Sequence, residues 1–547
     1  MSVYRAPKNR YGQILKQIAV EHDHYDQETL KQVVDAVASY AESLLLPTNK
    51  IGDLEGINYN AQDQSVSVPS AYHEVYQTLC NNGYATIALD AQYGGGGGTW
   101  LLHHIVAEML ASGNLALSTC PMLTSGAIEA LIANASQELL DRYLPSLVSG
   151  KYAATMCLTE PQCGTDLGLI TTCAEKNEDH YLITGQKIWI TFGEHDLTDN
   201  IIHLVLAKTR DAPKGSKGVS MFVVPKFNPD GQRNGVKCIG LEHKMGQNGS
   251  PTATLAFDQA KGWLVGEQCS GMRMMFEMMN PARMGVGVQA LGLSEAAFQQ
   301  ALSFARERRQ SRSLDKQYRE PEFDADLILV HPDVKRMLMH VESTTVAMRW
   351  MVGLCSVYMD QGKDNLASIL IPVVKSYVTE QSVANVSMCM QIMGGLGYVR
   401  DGQCEQYYRD GRITMIYEGT NGIQALDLLG RKIAKDSGKG LRRLIKDLKS
   451  RPVKYGKRRV RARLFRYLLS ANIYLLRHSN NVSHIQSAAP HYLNLLAIVV
   501  QYTLLAAYES DQEIVLFYEQ YVVPEAKLNL ARIKSGSKVL MTRNYLK

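Results

Sequence analysis

A single carboxylate, Glu418, ends an apolar stretch in the segment RITMIYEGTNGIQALDLLGRK, residues 412–432. Burial among apolar side chains raises the pKa of a carboxylate, because the charged form loses its solvation. A carboxylate tuned in this way is suited to remove a weakly acidic proton as a general base. The alternative is capping chemistry at the start of a helix, which is the more common role for a lone glutamate before Gly-Thr.

Further short segments carry hydroxyl, indole, guanidinium and glycine groups that could bind a ligand: MCLTEPQCGTD at 156–166, WIT at 189–191, ARERR at 305–309, QIMGGLGYV at 391–399 and the run Gly94–Gly98. Each has an ordinary explanation alone, since an indole can fill a sheet face and glycines can end a helix or form a flexible loop. The chain has no G-x-G-x-x-G, G-x-x-x-x-G-K-[ST], H-E-x-x-H or G-x-S-x-G motif. The sequence therefore argues against a P-loop NTPase, a zinc metalloprotease and a typical serine hydrolase, and we expect no metal site.

Four segments with different periodicity must position these groups. Residues 1–152 have apolar residues at helical spacing, as in ETLKQVVDAVASYAESLLL, a helix that we expect Pro47 to end. Residues 153–268 contain short β-branched stretches with no helix between them, which predicts an antiparallel β domain. Long helical patterns in 269–436 predict a four-helix bundle, and 437–547 predict a further helical extension. The predicted fold class is α+β multidomain.

Composition places the chain among globular proteins. It has 547 residues, a net charge of +5 and ten cysteines without a C-x-x-C pair, which favours a reducing compartment over disulfides or zinc. We see no secretory signal, and the apolar run 493–507 is shorter than the roughly 20 residues that span a bilayer. We therefore expect a cytoplasmic protein with no transmembrane segment, in which 493–507 is a buried helix.

The charge is concentrated in residues 442–466, which hold twelve Lys/Arg and one acid. Such a block can bind phosphates, nucleic acid or an acidic membrane surface. A solvated basic helix face is the more common case, and we prefer it on the sequence alone.

Together with ARMGVGVQALG at 282–292 and IYEGTNG at 416–422, the segments above resemble the acyl-CoA dehydrogenase family across residues 30–435. The order of helical, β and four-helix domains matches as well. GEHDL at 193–197 and EHKMGQNG at 242–249 resemble the branch that includes 3-(methylthio)propanoyl-CoA dehydrogenases, which also carries a helical C-terminal extension.

The resemblance implies FAD as the cofactor. Thr159 would hydrogen-bond the pyrimidine side of the flavin, Trp189 would pack against the ring, and Thr191 would place a donor near flavin N5. Arg308 would pair with the FAD pyrophosphate, usually that of a neighbouring subunit, although Ser311-Arg312 stands where the family has Phe-Gly. The implied cofactor set is Met156, Leu158, Thr159, Thr165, Trp189, Ile190, Thr191, Arg308, Gln391, Gly394, Gly395, Gly419 and Thr420.

Glu418 occupies the position of the family's catalytic base, which removes the α-proton of an acyl-CoA thioester while the β-hydrogen leaves as hydride to flavin N5. The family's backbone N–H at this glutamate and a ribityl hydroxyl of FAD stabilise the enolate. Some members carry the base directly before the arginine that opens the bundle helix, but here Ala282 precedes Arg283, which leaves Glu418 as the only candidate. Thr165 and Arg283 would contact the substrate, and a buried arginine near Glu418 would lower its pKa, against the effect of burial.

The resemblance implies an FAD-dependent acyl-CoA dehydrogenase that forms trans-2-enoyl-CoA in fatty acid β-oxidation, acting on 3-(methylthio)propanoyl-CoA or a fatty acyl-CoA. Its expected partners are the acyl-CoA, electron-transferring flavoprotein and further copies of itself, as a dimer or tetramer. The alternatives are an acyl-CoA oxidase that uses O2 and a DNA-binding alkylation-response flavoprotein. The dehydrogenase ranks first, because Glu418, Ala282 and the flavin set are intact, and we do not expect nucleic acid as a partner.

Overall fold

The computed structural model describes residues 3–19 and 26–545. In chain order its helices are α1 Lys8–Ile18, α2 Gln27–Tyr40, α3 Leu46–Glu55, α4 Ala71–Asn81, α5 Trp100–Asn134, α6 Gln137–Val148, α7 Gly271–Glu307, α8 Pro332–Asp360, α9 Asp364–Val373, α10 Thr379–Met393, α11 Gly395–Tyr398, α12 Cys404–Arg412, α13 Asn421–Leu426, α14 Lys439–Ser450, α15 Arg458–Arg477, α16 Val482–Tyr508, α17 Gln512–Phe517, α18 Pro524–Ser535 and α19 Lys538–Thr542. The strands are β1 Asn58–Asn60, β2 Ser65–Ser67, β3 Tyr152–Cys157, β4 Cys173–Asn177, β5 His180–Thr191, β6 Asn200–Thr209, β7 Val219–Pro225, β8 Val236–Leu241 and β9 Thr252–Val265.

The chain forms two compact units. The sheet unit contains the described residues from Asp26 to Gly285, and the bundle unit contains α1 and everything described from Val286 onward. Helix α7 begins in the first unit and continues into the second. The predicted succession of helical, β, helical and extension segments is confirmed.

The N-terminal part of the sheet unit is helical, as predicted, but Pro47 does not end its first helix. A π-helical turn, Ala41–Leu45, follows α2, and α3 then begins with Pro47 in its first turn. Proline lacks an N–H and fits the first turn of a helix, where that donor has no partner within the helix. The π turn therefore lets the chain restart a helix at a residue that would break a continuous one.

The glycine run is packed against its own chain. A Cβ on Gly95 would lie 2.2 Å from the Leu89 carbonyl oxygen, and one on Gly96 would lie 2.8 Å from that of Ile87. The N–H groups of Gly97 and Gly98 donate to the carbonyls of the same two residues, Leu89 and Ile87. The run thus forms a tight turn before α5 that requires the absence of side chains, and neither a ligand nor flexibility is needed to explain it.

The sheet of the middle segment is mixed, which corrects the antiparallel prediction. Strands β6, β4, β5, β9 and β7 pair in a closed ring, with β3 added on β6 and β8 on β9. The β3–β6 and β4–β6 pairs are parallel, and the other five pairs are antiparallel. Strands β3 and β4 run in the same direction along one edge of β6 and are separated by a loop, so no helix is needed for the crossover. The absence of helices between the strands therefore does not exclude parallel pairs.

Burial along the strands follows from this topology. All of β7 and most of β6 are buried, as expected for strands covered on both faces. Strand β5 instead has buried Ile183, Lys187 and Ile190 separated by more exposed residues, so one of its faces lies outside the core. That open face carries the indole discussed below.

The bundle unit contains the predicted long helices α7 and α8, and a third formed by α9, a π turn at Val374–Val378 and α10. The predicted fourth helix, after Thr420, is short: α13 passes into a π-helical segment, Asp427–Ile433. Between α10 and α13 lie α11 and α12, which the sequence analysis did not predict. The first π segment contacts the residues around Glu418 through Lys375, and the second follows them in sequence, directly after α13.

The C-terminal extension packs on the bundle through α16. The Trp350 indole on α8 donates to the Glu509 carboxylate at 3.2 Å, and its ring stacks on Tyr508 with centroids 5.5 Å apart. Arg10 of α1 forms an ion pair with the same carboxylate at 2.8 Å. One fully buried carboxylate therefore joins the first helix, the bundle and the extension.

Two of the described helices, α5 and α16, are long and apolar enough in length and composition to cross a membrane. Within their most apolar windows 67% and 83% of the residues, respectively, are buried inside the fold. The core helices of globular proteins share this property. The predicted buried helix at 493–507 is confirmed, since every residue of that run except Asn494 is buried in α16.

Candidate active site

The Glu418 turn lies between the 3-10 turn Ile413–Met415 and helix α13. Glu418 is half-buried and has a φ of 55°, and Gly419 follows with a φ of 85°. The side chain that caps α13 is Thr420, whose hydroxyl accepts from the Ile423 N–H at 3.4 Å. Capping therefore does not account for Glu418. A left-handed backbone costs a residue with a side chain about 1–2 kcal/mol and persists only where the surroundings impose it.

Two side chains hold the carbonyl groups of this turn. The Gln424 amide donates to the Glu418 carbonyl at 3.1 Å. The Lys375 ammonium donates to the Gly419 carbonyl at 2.7 Å and to the Asn421 side chain at 3.1 Å. Lys375 is fully buried and lies in the π turn between α9 and α10. π turns occur often at functional sites, where they redirect a side chain.

Asn421 extends this network into the same π turn. Its amide donates to the Ser376 carbonyl at 3.1 Å, and its oxygen accepts from the Thr379 hydroxyl at 3.2 Å. Sequence analysis missed Lys375, although a lysine inside the apolar run ILIPVVKSYV was a usable signal. A lysine is almost never fully buried unless its charge is paired or hydrogen-bonded.

Tyr417, directly before Glu418, donates from its hydroxyl to the Gln289 side chain on α7. Gln289 is buried, so the contact fixes the turn on the first bundle helix. The apolar residues before the glutamate are less buried than their types suggest, since Ile416 is 48% exposed. Glu418 thus lies at the edge of the bundle core, held by polar contacts of its backbone and of its neighbours.

In the sheet unit, Trp189 lies on an irregular stretch of β5. The pairing of β5 with β9 shifts register between Lys187 and Ile190, and Trp189 there has a φ of 64°. Its indole is 56% exposed, whereas the next side chain, Ile190, is 2% exposed in the sheet core. The irregularity therefore presents a large flat ring on the open face of the sheet, as bulges next to functional sites often do.

Two threonine hydroxyls belong to the same region. The Ile188 N–H donates to the Thr159 carbonyl at 3.0 Å, which joins the loop after β3 to β5. Thr159 and Thr191 are half-buried, and neither hydroxyl has a hydrogen-bond partner in the described part of the chain. Ile190 was also predicted to contact the cofactor. Its side chain fills the sheet core, so only its backbone could make such a contact.

A buried ion pair fixes the loop that carries Thr159 and Thr165. The Lys187 ammonium contacts Glu160 at 2.8 Å, with the two side chains 0% and 1% exposed, and also donates to the Leu158 carbonyl at 3.1 Å. The Glu160 carboxylate also accepts hydrogen bonds from the backbone and hydroxyl groups of Thr171 and Thr172. A buried pair is tolerated when its remaining hydrogen-bonding sites are satisfied in this way.

The pKa values of this pair reflect the same arrangement. Burial alone would raise the pKa of Glu160, but the Lys187 charge and the threonine hydrogen bonds lower it to about 2. Burial lowers the pKa of Lys187 below its ordinary value, although Glu160 opposes that effect. Sequence analysis missed both residues. Met156 at the end of β3 and Leu158 just after it are half-buried against the sheet core, and Thr165 in the loop is exposed.

Arg308 follows the end of α7, and its side chain is exposed. It makes no ion pair with any described carboxylate. The adjacent Arg309 makes contacts within the chain. It forms an ion pair with Glu320 at 2.6 Å, and its guanidinium carbon lies 3.5 Å from the centre of the Phe323 ring. Arg312, in the Ser-Arg pair that departs from the family pattern, forms an ion pair with Asp326 at 3.2 Å.

The remaining predicted residues have simple local roles. Gly394 has a φ of 59° and ends α10, with its N–H on the Gln391 carbonyl, so the helix-ending explanation holds for it. Gln391, Gly394 and Gly395 are exposed, and a Cβ on either glycine would meet open space. Arg283 is buried on α7, one residue after Ala282.

The predicted residues therefore form separate groups. Glu418, Gly419 and Thr420 share one turn of the bundle unit. Thr159 adjoins β5 of the sheet unit, where Trp189 and Thr191 lie. The first group offers a carboxylate on a turn whose backbone is held, and the second offers an aromatic surface with two hydroxyls that have no partner among the described residues.

Three protein-family models match the chain in succession. They are the N-terminal domain of acyl-CoA dehydrogenase at residues 27–151, the middle domain at 155–260 and the C-terminal domain at 270–433. Together they cover both groups of candidate residues, and the Glu418 turn lies in the third.

Curated relatives agree with these models. The chain is 39% identical over 438 residues to 3-methylmercaptopropionyl-CoA dehydrogenase of Ruegeria pomeroyi, an alignment that covers 77% of this chain and 74% of the relative. It is 33% identical to a butyryl-CoA dehydrogenase of Syntrophomonas wolfei, with 77% and 73% covered. Among solved structures, Caenorhabditis elegans ACDH-11 in complex with C11-CoA has a TM-score of 0.83 at 19% identity, covering all of this chain and 96% of that one. At that identity the likeness shows the fold alone.

Proposed function

This chain belongs to the acyl-CoA dehydrogenase family, and from that premise we propose that it oxidises a short acyl-CoA thioester to trans-2-enoyl-CoA with Glu418 as the base. Members of the family are FAD-dependent oxidoreductases, so FAD is the cofactor. The observation that carries the proposal is the left-handed backbone of Glu418, whose own carbonyl and that of the following Gly419 are held by buried side chains. Strain of this kind is retained where function requires it.

The residues of the sheet unit fit a flavin. Trp189 offers a flat apolar surface, and the hydroxyls of Thr159 and Thr191 have no partner among the described residues. An aromatic ring with hydrogen-bonding edges needs this donor set. We propose that these three hold the ring system and that Arg308, exposed and not paired with any described carboxylate, contributes to the pyrophosphate of a neighbouring subunit's FAD.

FAD supplies, when bound, the acceptor for the hydrogen that leaves the β-carbon with its electron pair. In our proposal Glu418 takes the other hydrogen: its carboxylate removes the α-proton, and the electrons of that C–H bond form the Cα=Cβ bond. Gln424 and Lys375 hold the carbonyls of Glu418 and Gly419, and Tyr417 holds the preceding residue on Gln289. The base is thus oriented before the substrate binds, and that preorganisation lowers the barrier.

The proposed substrate is 3-(methylthio)propanoyl-CoA or a straight-chain thioester of similar length. The support is that two curated relatives act on 3-methylmercaptopropionyl-CoA and butyryl-CoA, according to their names. A 3-(methylthio)propanoyl group has the length of a pentanoyl group with sulfur in place of one methylene. The same pocket should therefore accept both.

We further propose electron-transferring flavoprotein as the electron acceptor, the cytoplasm as the compartment and a homo-oligomer as the working form. All ten cysteines are free thiols in the structure, which supports a reducing compartment. An exposed Arg308 is what a contribution to a neighbouring subunit's cofactor would require. Sedimentation velocity of the holoenzyme tests the last point, and a monomer would contradict it.

A panel of butanoyl-, pentanoyl-, 3-(methylthio)propanoyl- and palmitoyl-CoA tests the substrate proposal. Each is mixed anaerobically with the holoenzyme, and bleaching of the flavin absorbance is followed. We expect kcat/KM with an artificial acceptor to be at least about tenfold higher for the pentanoyl and methylthio thioesters than for palmitoyl, since differences in chain length change specificity on this scale. A preference for palmitoyl-CoA would overturn the proposal, and rapid H2O2 formation in air would instead indicate an oxidase.

A further inference from the structure

The basic segment 442–466 forms α14, the start of α15 and the connection between them. Three of its twelve cations are engaged by the fold: Arg451 with Asp447, Lys457 with Glu519, and Arg461 with the Arg451 carbonyl. The other nine form no ion pair with a carboxylate in the described chain: Arg442, Arg443, Lys446, Lys449, Lys454, Arg458, Arg459, Arg463 and Arg466. The structure therefore leaves most of this charge for solvent or a partner.

Helix α15 arranges part of that charge on one face. Its inward side chains, Val460, Leu464, Phe465, Leu468, Ala471 and Leu475, are buried. The exposed side chains at three- and four-residue spacing form what we call the outer face of α15: Arg459, Arg463, Arg466, Leu469, Ile473 and Leu476. The first three are cationic, and the last three are apolar.

The apolar half of this face is unusually open for its residue types. Leu469, Ile473 and Leu476 are 57%, 41% and 73% exposed. On α14, the Lys449 ammonium lies 5.4 Å from the centre of the Phe465 ring, on the inward side of α15. The outer face of α15 thus has a cationic half followed by an apolar half.

We propose that the outer face of α15 docks this protein on an anionic lipid bilayer. The arginines would meet the lipid phosphates, and the leucines and isoleucine would enter the boundary between headgroups and acyl chains. The apolar half favours this partner over nucleic acid, because a charged phosphate backbone offers no apolar region to bury the leucines and the isoleucine. A second copy of the chain fits less well, because self-association there would bury three arginines without carboxylates.

Co-sedimentation of the full-length holoenzyme with vesicles tests the proposal. One preparation contains phosphatidylcholine alone, and the other contains equimolar phosphatidylcholine and phosphatidylglycerol. We expect binding only to the second, weakened by added salt because the contact is partly electrostatic. Lack of binding to the anionic vesicles at low salt would overturn the proposal.

Three triple variants separate the contributions. Changing Arg459, Arg463 and Arg466 to glutamine should weaken binding about 100-fold, at roughly fivefold per cation. Changing Leu469, Ile473 and Leu476 to serine should weaken it by about tenfold or more, because the insertion is lost. The matched control changes Arg210, Lys214 and Lys217, exposed cations of the sheet unit, to glutamine and should leave binding unchanged.

Two results would assign the face to another partner. Equal vesicle binding by the serine variant, together with salt-sensitive binding of duplex DNA by the parent protein, would indicate a nucleic-acid surface. A smaller oligomer in sedimentation velocity for the serine variant would indicate an interface between copies. Flavin content and acyl-CoA oxidation should remain at parental values in all three variants, so a loss of either would mean that the substitution disturbed the fold.

Discussion

Replacing Lys375 with methionine should slow substrate oxidation without removing FAD. Lys375 is fully buried, and its ammonium donates to the Gly419 carbonyl at 2.7 Å and to Asn421 at 3.1 Å. Methionine fills the same space without a donor or a charge. The carbonyl next to Glu418 then loses its strongest contact, and Glu418 itself still carries the cost of a left-handed backbone.

The size of the effect follows from these contacts. A hydrogen bond from a charged group contributes about 1.5–3 kcal/mol, whereas the remaining amide bond from Gln424 contributes about 0.5–1.5 kcal/mol. The left-handed conformation of Glu418 opposes them by about 1–2 kcal/mol. Without the lysine, the remaining hydrogen bond only about balances the cost of the left-handed backbone, so the turn is no longer held in one conformation. We expect the rate of flavin reduction to fall about 10- to 100-fold.

The assay is anaerobic stopped-flow bleaching of the flavin at saturating acyl-CoA, which measures the chemical step directly. Lys439→Met is the matched control, since Lys439 is an exposed cation of the same unit, at the start of α14. It should reduce at the parental rate. A Lys375→Met protein that keeps its FAD and reduces within about twofold of the parent would refute the claim that this lysine positions the base.

Two other predictions concern the flavin residues. Lys187→Met should leave Glu160 buried without its partner and lower the free energy of unfolding by about 3–5 kcal/mol. The midpoint of thermal unfolding should fall accordingly, and adding Glu160→Gln should recover part of the lost stability. Because the pKa of Glu160 falls from 4.5 to about 2 on folding, its contribution to stability is complete above pH 4.5 and is lost as pH falls towards 2. The unfolding midpoint of the parent should therefore fall more steeply with pH than that of the double variant in that window, and with the same slope above it. Arg308→Gln should weaken FAD binding about 10- to 100-fold by equilibrium titration, whereas Arg306→Gln, equally exposed on α7, should not change it.

The order of segments and the buried helix at 493–507 could be predicted because they depend on local periodicity, which a sequence displays directly. The two parallel pairs on β6 could not, because they depend on which edge a strand joins after a loop. Pro47 was misjudged for a related reason: a π turn before it changes the register of the helix, and no local pattern announces such a turn.

The candidate site likewise contains residues that the sequence identifies and residues that it does not. The side chains with distinctive chemistry, Glu418 and Trp189, could be identified from motifs. Their supports, Lys375 and the Glu160–Lys187 pair, lie far from their partners in sequence or inside apolar runs. The left-handed backbone at Glu418 and Trp189 could not be predicted either, since neither residue favours it. Positions that break a local rule are those at which function is to be sought.

The central claim, that Glu418 is the base, is tested most directly by the Glu418→Gln protein in the same anaerobic reduction assay. Glutamine keeps the shape and the backbone contacts of the turn but cannot accept the α-proton. We predict full FAD content and a flavin reduction rate lowered by about 10²- to 10⁴-fold with 3-(methylthio)propanoyl-CoA or pentanoyl-CoA. Reduction of the variant within about threefold of the parental rate would contradict it.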